Sequence, residues 1–229
     1  NVWVKPAVEL PPPTPPYQGG EQVNIPSLDK GGTKGGFPKI WAEYEGIKYP
    51  LPLLGEMQLS NSALAIACLQ ILQQQGWKIP PEAITNGMSK TRWLGRLQWT
   101  NWQNHRLLID GAHNPAAAIA LRQYVDTLNT PVTWVMGMLS TKDHAEIFEA
   151  LLRPADQLYL VPVPDHSSAD PNFLATLAKN ICPELADCRT YPELDSALNQ
   201  AIVSPEYLVI LCGSLYLVGS FLKGAIHHP

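Results

Sequence analysis

Arg106-Leu107-Leu108-Ile109-Asp110-Gly111-Ala112-His113-Asn114-Pro115 passes from an apolar run, through a turn of catalytic-type residues, into an alanine-rich segment that continues to about Val125. The apolar run reads as a buried strand of a parallel sheet with Asp110 at its carboxyl end. Gly111 permits a tight turn, and Asn114-Pro115 supplies a helix N-cap followed by proline at the first helical position. A strand handing over to a helix in this way is where open α/β sheets bind ligands. Orphan N–H groups and the helix dipole favour an anion there by roughly 0.3–2 kcal/mol. The same residues also fit a plain capped helix with a structural Asp110 and a solvent-facing His113.

Downstream of Leu97 the apolar pattern changes period at short intervals. Strands are expected near 97–102, 105–110, 131–138, 156–162, 187–191 and 207–212, and helices at 115–127, 143–152, 170–179, 192–203 and 215–225. This alternation predicts an α/β domain, a Rossmann-like, mostly parallel sheet with helices on both faces. Upstream, residues 1 to about 38 read as irregular, with Pro11-Pro12-Pro13-Thr14-Pro15-Pro16 favouring polyproline II. Residues 39–50 predict one or two short strands joined by a Glu45-Gly46 turn, followed by an amphipathic helix at about 58–75 that Gly76 stops. A second short helix is expected from Pro81-Glu82. Thr91 to Arg96 reads as a linker, dividing the chain into an incomplete part, 1–93, and a complete domain, 97–229.

Among the 229 residues, 16 Lys plus Arg against 20 Asp plus Glu give a net charge of −4, which argues against a nucleic-acid or anionic-membrane partner. Cys68, Cys182, Cys188 and Cys212 form no C-x-x-C pair or Cys/His cluster, so a reduced, cytoplasmic protein is expected. The longest apolar run, Tyr207 to Gly219, is too short and interrupted to span a bilayer. The chain opens at Asn1 with no Met and no signal-like segment, which suggests an internal or truncated piece.

Several other residues are candidates for chemistry. Gly31-Gly32-Thr33-Lys34-Gly35-Gly36 has the wrong order and context for a phosphate loop, so it reads as flexible. Arg96 offers a planar head suited to phosphate oxygens, or pairs with a surface carboxylate. Gln58 and Asn61, one helical turn apart, either read an adenine edge or cap their helix. Lys142 and Asp143, in Gly137-Met138-Leu139-Ser140-Thr141-Lys142-Asp143-His144, sit at another strand-to-helix turn, where Asp143 is at least an N-cap. Gly213-Ser214-Leu215-Tyr216 repeats that arrangement, with Ser214 as N-cap or as a donor to a carboxylate; it lacks the G-x-S-x-G pattern of a nucleophile. Asp165-His166 reads as surface, and His227-His228 as a poor metal site.

Taken together, Gly55-x-x-Gln58-x-x-Asn61, Gly95-Arg96, Asp110 to Pro115, Gly137-Met138-Leu139 with Lys142-Asp143, and Gly213-Ser214-Leu215-Tyr216-Leu217-Val218-Gly219 resemble folylpolyglutamate synthase and the bifunctional dihydrofolate synthase, of the Mur ligase superfamily. The resemblance runs from about Leu53 to Lys223. It implies ATP- and Mg2+-dependent ligation of L-glutamate to folate or dihydropteroate through an acyl phosphate. It further implies that Asn61, Arg96 and Asp110 bind ATP and that His113 and Ser214 bind glutamate. Met57 stands where the family usually has His, and Leu94 where it commonly has Pro. The family's phosphate loop, magnesium ligands and carbamylated lysine have no counterpart, so the chain is expected to be the end of the central ATPase domain plus the whole glutamate-binding domain. Such a piece needs the upstream ATPase region to catalyse.

A related Mur-type amino-acid ligase and a non-catalytic nucleotide-binding module remain as alternatives. A strand-end carboxylate contributes little packing, so Asp110→Ala is expected to lower activity while leaving the fold largely intact.

Overall fold

The computed structural model describes residues 5–6 and 40–227; the proline run at 11–16, the glycine-rich stretch at 31–36 and His228 lie outside the described residues. Two compact units make up the chain, Asn1–Leu94 and Gly95–Pro229.

In the first unit, β2 (Ile40–Tyr44) and β3 (Ile47–Leu51) form an antiparallel hairpin. Glu45 and Gly46 close it with φ of 48° and 75°, the left-handed pair that matches the twist of a two-residue turn. β1 (Lys5–Pro6) adds to the hairpin edge, pairing Lys5 with Glu43 and Pro6 with Ala42. This corrects the irregular reading of residues 1–38 at one point. The pairing is non-local, and proline is tolerated on an edge strand, so nothing in the local pattern announces it. Helices α1 (Met57–Gln74) and α2 (Pro81–Ser89) follow, and Ile66 and Ile84 join Ala42, Tyr49 and Leu51 in this unit's core.

The second unit alternates strand and helix as β4 (Gln98–Trp102), β5 (His105–Ile109), α3 (Pro115–Asp126), β6 (Val132–Met136), α4 (His144–Leu151), β7 (Gln157–Leu160), α5 (Pro171–Ile181), β8 (Asp187–Thr190), α6 (Leu194–Ala201), β9 (Leu208–Cys212) and α7 (Leu215–His227). The six-stranded sheet has the order β4-β5-β9-β6-β7-β8. β4 is antiparallel to β5, and every other pairing is parallel.

Connectivity sets which face each helix covers. The crossovers from β5 to β6, β6 to β7 and β7 to β8 advance in one direction, so their right-handedness puts α3, α4 and α5 on the same face. The step from β8 back to β9 reverses direction and carries α6 to the opposite face. There Leu107, Ile109, Val135, Tyr159, Val209 and Leu211 pack with Ala197, Leu198, Ala201, Leu217, Val218 and Phe221. Their alternate neighbours Leu108, Trp134, Leu158 and Ile210 are also fully buried, as a sheet covered on both faces requires.

At the amino ends of the strands a buried ion pair ties α3 to β7. Arg122 Nη1 donates to Asp156 Oδ2 at 2.9 Å, and Trp134 Nε1 and Arg153 N donate to the same carboxylate at 3.0 and 3.1 Å. Burial still raises the Asp156 carboxyl above its ordinary value, against the pull of these donors.

Candidate active site at the carboxyl edge of the sheet

β9 lies between β5 and β6, yet its chain leaves in the other direction. After β5 and β6 the backbone turns toward the α3 and α4 face, whereas after β9 it enters α7. Divergence of this kind is the topological switch point at which open α/β sheets bind ligands.

The turns that follow these strands touch one another. Asp110 N donates to Leu211 O at 3.0 Å and Gly213 N to Ala112 O at 3.0 Å, so the ends of β5 and β9 are stitched together. Gly213 has φ of 98°, and a Cβ there would stand 2.8 Å from Gly137 O, in the turn after β6. Only glycine allows so close an approach in that conformation. Asp110, His113 and Ser214 are thereby gathered at one edge of the sheet.

Asp110 is almost fully buried, and both of its oxygens hold backbone. Oδ2 accepts from Leu97 N at 2.8 Å and Oδ1 from Ala112 N at 2.7 Å. Leu97 has φ of 41°, a left-handed conformation that a side chain such as leucine takes only at a cost of about 1–2 kcal/mol. Burial pushes the Asp110 carboxyl above its ordinary value, while the two backbone donors and the nearby charges of Arg96 and His113 pull it down. Asp110 is therefore a structural clamp as well as a candidate ligand group, which corrects the expectation that its removal leaves the fold intact.

His113 lies half-buried, and its Nδ1–H donates to Gly111 O at 2.8 Å. A carbonyl can only accept, so this bond fixes a proton on Nδ1, and among the described residues nothing hydrogen-bonds Nε2. Asn114 caps α3 as its sequence suggests, accepting from Ala117 N at 2.9 Å, with Pro115 in the first turn.

Ser214 is buried at the start of α7, and its Oγ accepts from Tyr216 N at 3.1 Å. Among the described residues no acceptor takes its hydroxyl proton. Arg96, half-buried, belongs to the same unit and acts electrostatically on Asp110. Asp143 caps α4, accepting from Glu146 N at 3.4 Å, and Lys142 lies half-buried beside it.

Asn61 belongs to the first unit, on the exposed side of α1. Its Nδ2 donates to Gln58 Oε1 at 3.1 Å, so the two amides do share a face. No side chain caps the start of α1, which removes the capping alternative for this pair.

Among the described residues no group of three or more His, Cys, Asp or Glu could hold a metal ion. Likewise, no helix among them is long and apolar enough to cross a membrane.

Comparison with known proteins places this arrangement. The model of the dihydrofolate synthetase C-terminal domain matches residues 95–224, which include every residue of the carboxyl edge described above. The chain belongs to the folylpolyglutamate and dihydrofolate synthase family. It is 31% identical over 187 residues to a probable dihydrofolate synthetase of Schizosaccharomyces pombe and 32% identical over 197 residues to the dihydrofolate synthetase of Saccharomyces cerevisiae. These alignments take in 76% of this chain and 44% and 45% of those proteins, so the chain spans under half of their length. Among solved structures, Mycobacterium tuberculosis folylpolyglutamate synthase complexed with ADP and AMPPCP aligns with a TM-score of 0.69 and 25% identity, over 83% of this chain and 45% of that one. A bifunctional folylpolyglutamate synthase/dihydrofolate synthase with Mn, AMPPNP and L-glutamate bound aligns at 0.64 and 27%, over 82% and 44%. The ligase and folate-metabolism setting of the family, and the α/β fold expected from the sequence, are thus established.

Proposed function

We propose that this chain is the carboxyl-terminal portion of a cytoplasmic, ATP-dependent ligase that joins L-glutamate to folate or dihydropteroate. The convergence of His113 and Ser214 with Asp110 at the switch point carries the reading, because a site that brings a small amino acid beside a nucleotide needs polar groups from several strand tips. In the proposed reaction the substrate carboxylate attacks the γ-phosphorus of ATP, forming an acyl phosphate and releasing ADP. The amine of glutamate then attacks the acyl carbon, loses a proton and expels phosphate, leaving the amide.

Within this scheme Arg96 neutralises charge on the nucleotide phosphates, a task for a planar, permanently charged fork. Asp110 contacts the nucleotide through the lone pairs its two backbone bonds leave unused, and Asn61 contacts adenine. The Ser214 O–H and the Nε2 edge of His113 hold glutamate beside the start of α7, where its carboxylates also meet the positive end of the helix. Metal ligands and the triphosphate cradle are assigned to the ATPase region upstream.

The test is incorporation of labelled L-glutamate into folate and dihydropteroate by the complete protein, with and without ATP. ATP-dependent transfer of glutamate supports the reading. Transfer of a different amino acid points to another ligase of the superfamily, and nucleotide binding without transfer points to a non-catalytic module.

A further inference from the structure

The loop after β7, whose Asp165-His166 reads from sequence as plain surface, does not run free. Ser140 N donates to Ser167 O at 2.8 Å and Ala169 N to Met138 O at 2.9 Å, fastening the loop to the turn after β6. Val163 N donates to Ser168 Oγ at 2.9 Å, which closes the loop on itself. Asp165, at φ of 59°, makes the sharp turn that aims the next residue. His166 then stacks on Tyr216, with ring centroids 3.6 Å apart and planes 34° from parallel. Tyr216 is the residue whose N–H is bonded to Ser214 Oγ.

An exposed ring pair of this kind is an unusual expense. Both side chains are solvent-accessible, and each loses rotamer freedom to be held. Among the described residues nothing hydrogen-bonds either nitrogen of the His166 imidazole, so the stack fixes the ring while leaving its polar edge unused. That ring belongs to a fourth strand tip, the loop after β7, and rests on Tyr216, which lies two residues beyond Ser214 in the chain. With the reading proposed above, the neighbouring ligand is an α-amino dicarboxylic acid, and the group that suits its outer carboxylate is a fixed ring N–H donor.

We infer that His166, braced by Tyr216, is a further amino-acid-binding residue that determines acceptor specificity by donating to a carboxylate of the incoming glutamate. The inference rests on the proposed glutamate site. It makes Tyr216 a positioning residue, acting only through the ring it supports.

The experiment uses the complete enzyme and compares wild type with His166→Ala, His166→Gln and Tyr216→Leu. For His166→Ala, KM for L-glutamate is expected to rise about tenfold, the change that accompanies loss of one hydrogen bond to a charged group. KM for ATP should stay within about twofold, since the nucleotide is assigned to other residues. His166→Gln retains a donor and should recover part of the loss, whereas Tyr216→Leu should raise KM for glutamate with the imidazole intact. Because both rings are exposed, thermal unfolding should be unchanged in all three. A wild-type enzyme that ligates glutamate, with variants of unaltered glutamate KM or with equal losses toward ATP and glutamate, overturns this inference alone. A wild-type enzyme without glutamate transfer overturns the proposed function and the inference together.

Discussion

Asp110 is the residue at which structural and ligand-binding demands meet, and its removal separates them. In Asp110→Ala, the N–H groups of Leu97 and Ala112 lose their acceptors inside a buried turn. Each such orphan costs about 1–3 kcal/mol, so two set a gross loss of about 2–6 kcal/mol. Part of this is returned, because burial already makes the ionised carboxyl expensive, as its raised pKa records. A net loss of about 2–4 kcal/mol is expected, a substantial share of the 5–15 kcal/mol that typically holds a domain. Asp110→Asn keeps one oxygen acceptor and carries no charge, so about 1 kcal/mol is expected. Urea unfolding gives the totals, and amide hydrogen exchange at Leu97 and Ala112 localises them. The wild-type protein should also show a pH dependence that Asp110→Asn lacks. With the carboxyl raised in the folded state, the native chain binds that proton more tightly than the unfolded chain. Stability contributed by this group therefore falls as pH rises from the ordinary carboxylate range through the raised value, and is constant above it. Equal unfolding midpoints for wild type and Asp110→Ala, with both amides protected as before, would refute the clamp.

Gly213→Ala should destabilise by about 2–4 kcal/mol in chemical denaturation, since a Cβ would meet Gly137 O at 2.8 Å in a left-handed conformation. Gly111→Ala should be milder although its Cβ would fall closer to a neighbour, because that neighbour is the Cγ and Cδ2 of the exposed, rotatable Leu215 side chain rather than backbone; a larger loss than Gly213→Ala contradicts this account. Arg122→Met should cost about 3–5 kcal/mol by leaving the buried Asp156 carboxylate without its guanidinium, read as a lowered unfolding midpoint. Arg96→Lys in the complete enzyme should lower kcat/KM for ATP by about tenfold or more, and unchanged steady-state kinetics would remove Arg96 from the phosphate site.

The sequence carries the second unit's elements well because its local signals agree. Val132 to Met136 is a wholly buried strand whose residues are apolar but for Thr133, and Asn114-Pro115 and Asp143 announce the helices they cap. Glu45-Gly46 marks its hairpin for the same reason. Pairing across the chain is less legible. Nothing in Leu208 to Cys212 says that this last strand enters between β5 and β6, and nothing in Lys5-Pro6 says that it adds to a hairpin. At the site, residue types point to Asp110, His113 and Ser214, but their partners are mostly backbone groups of distant turns. The clamp on Leu97 and the stack of His166 on Tyr216 were therefore hidden, the second behind a Pro-rich loop with no periodic pattern. A histidine next to a glycine-free turn and a tyrosine in the first turn of a helix give no sign of each other until β7 and β9 are placed.

The distribution of cost within the second unit follows from the position of β9. At the carboxyl edge the chain carries a desolvated carboxylate, a leucine in a left-handed turn and a glycine against a neighbouring carbonyl. The carboxylate and the leucine are unfavourable locally and persist only because the rest of the sheet holds them, while the glycine is the one residue its position tolerates. The support lies below, in fully buried strand faces on both sides and in the Arg122–Asp156 network at the amino ends. Relieving the edge, for example by a glycine at position 97, would favour the turn itself but loosen the backbone that the Asp110 carboxylate now grips. The strained turn and the buried charge are thus two halves of one device: the carboxylate holds Leu97 in place, and the N–H of Leu97 keeps the carboxylate aimed.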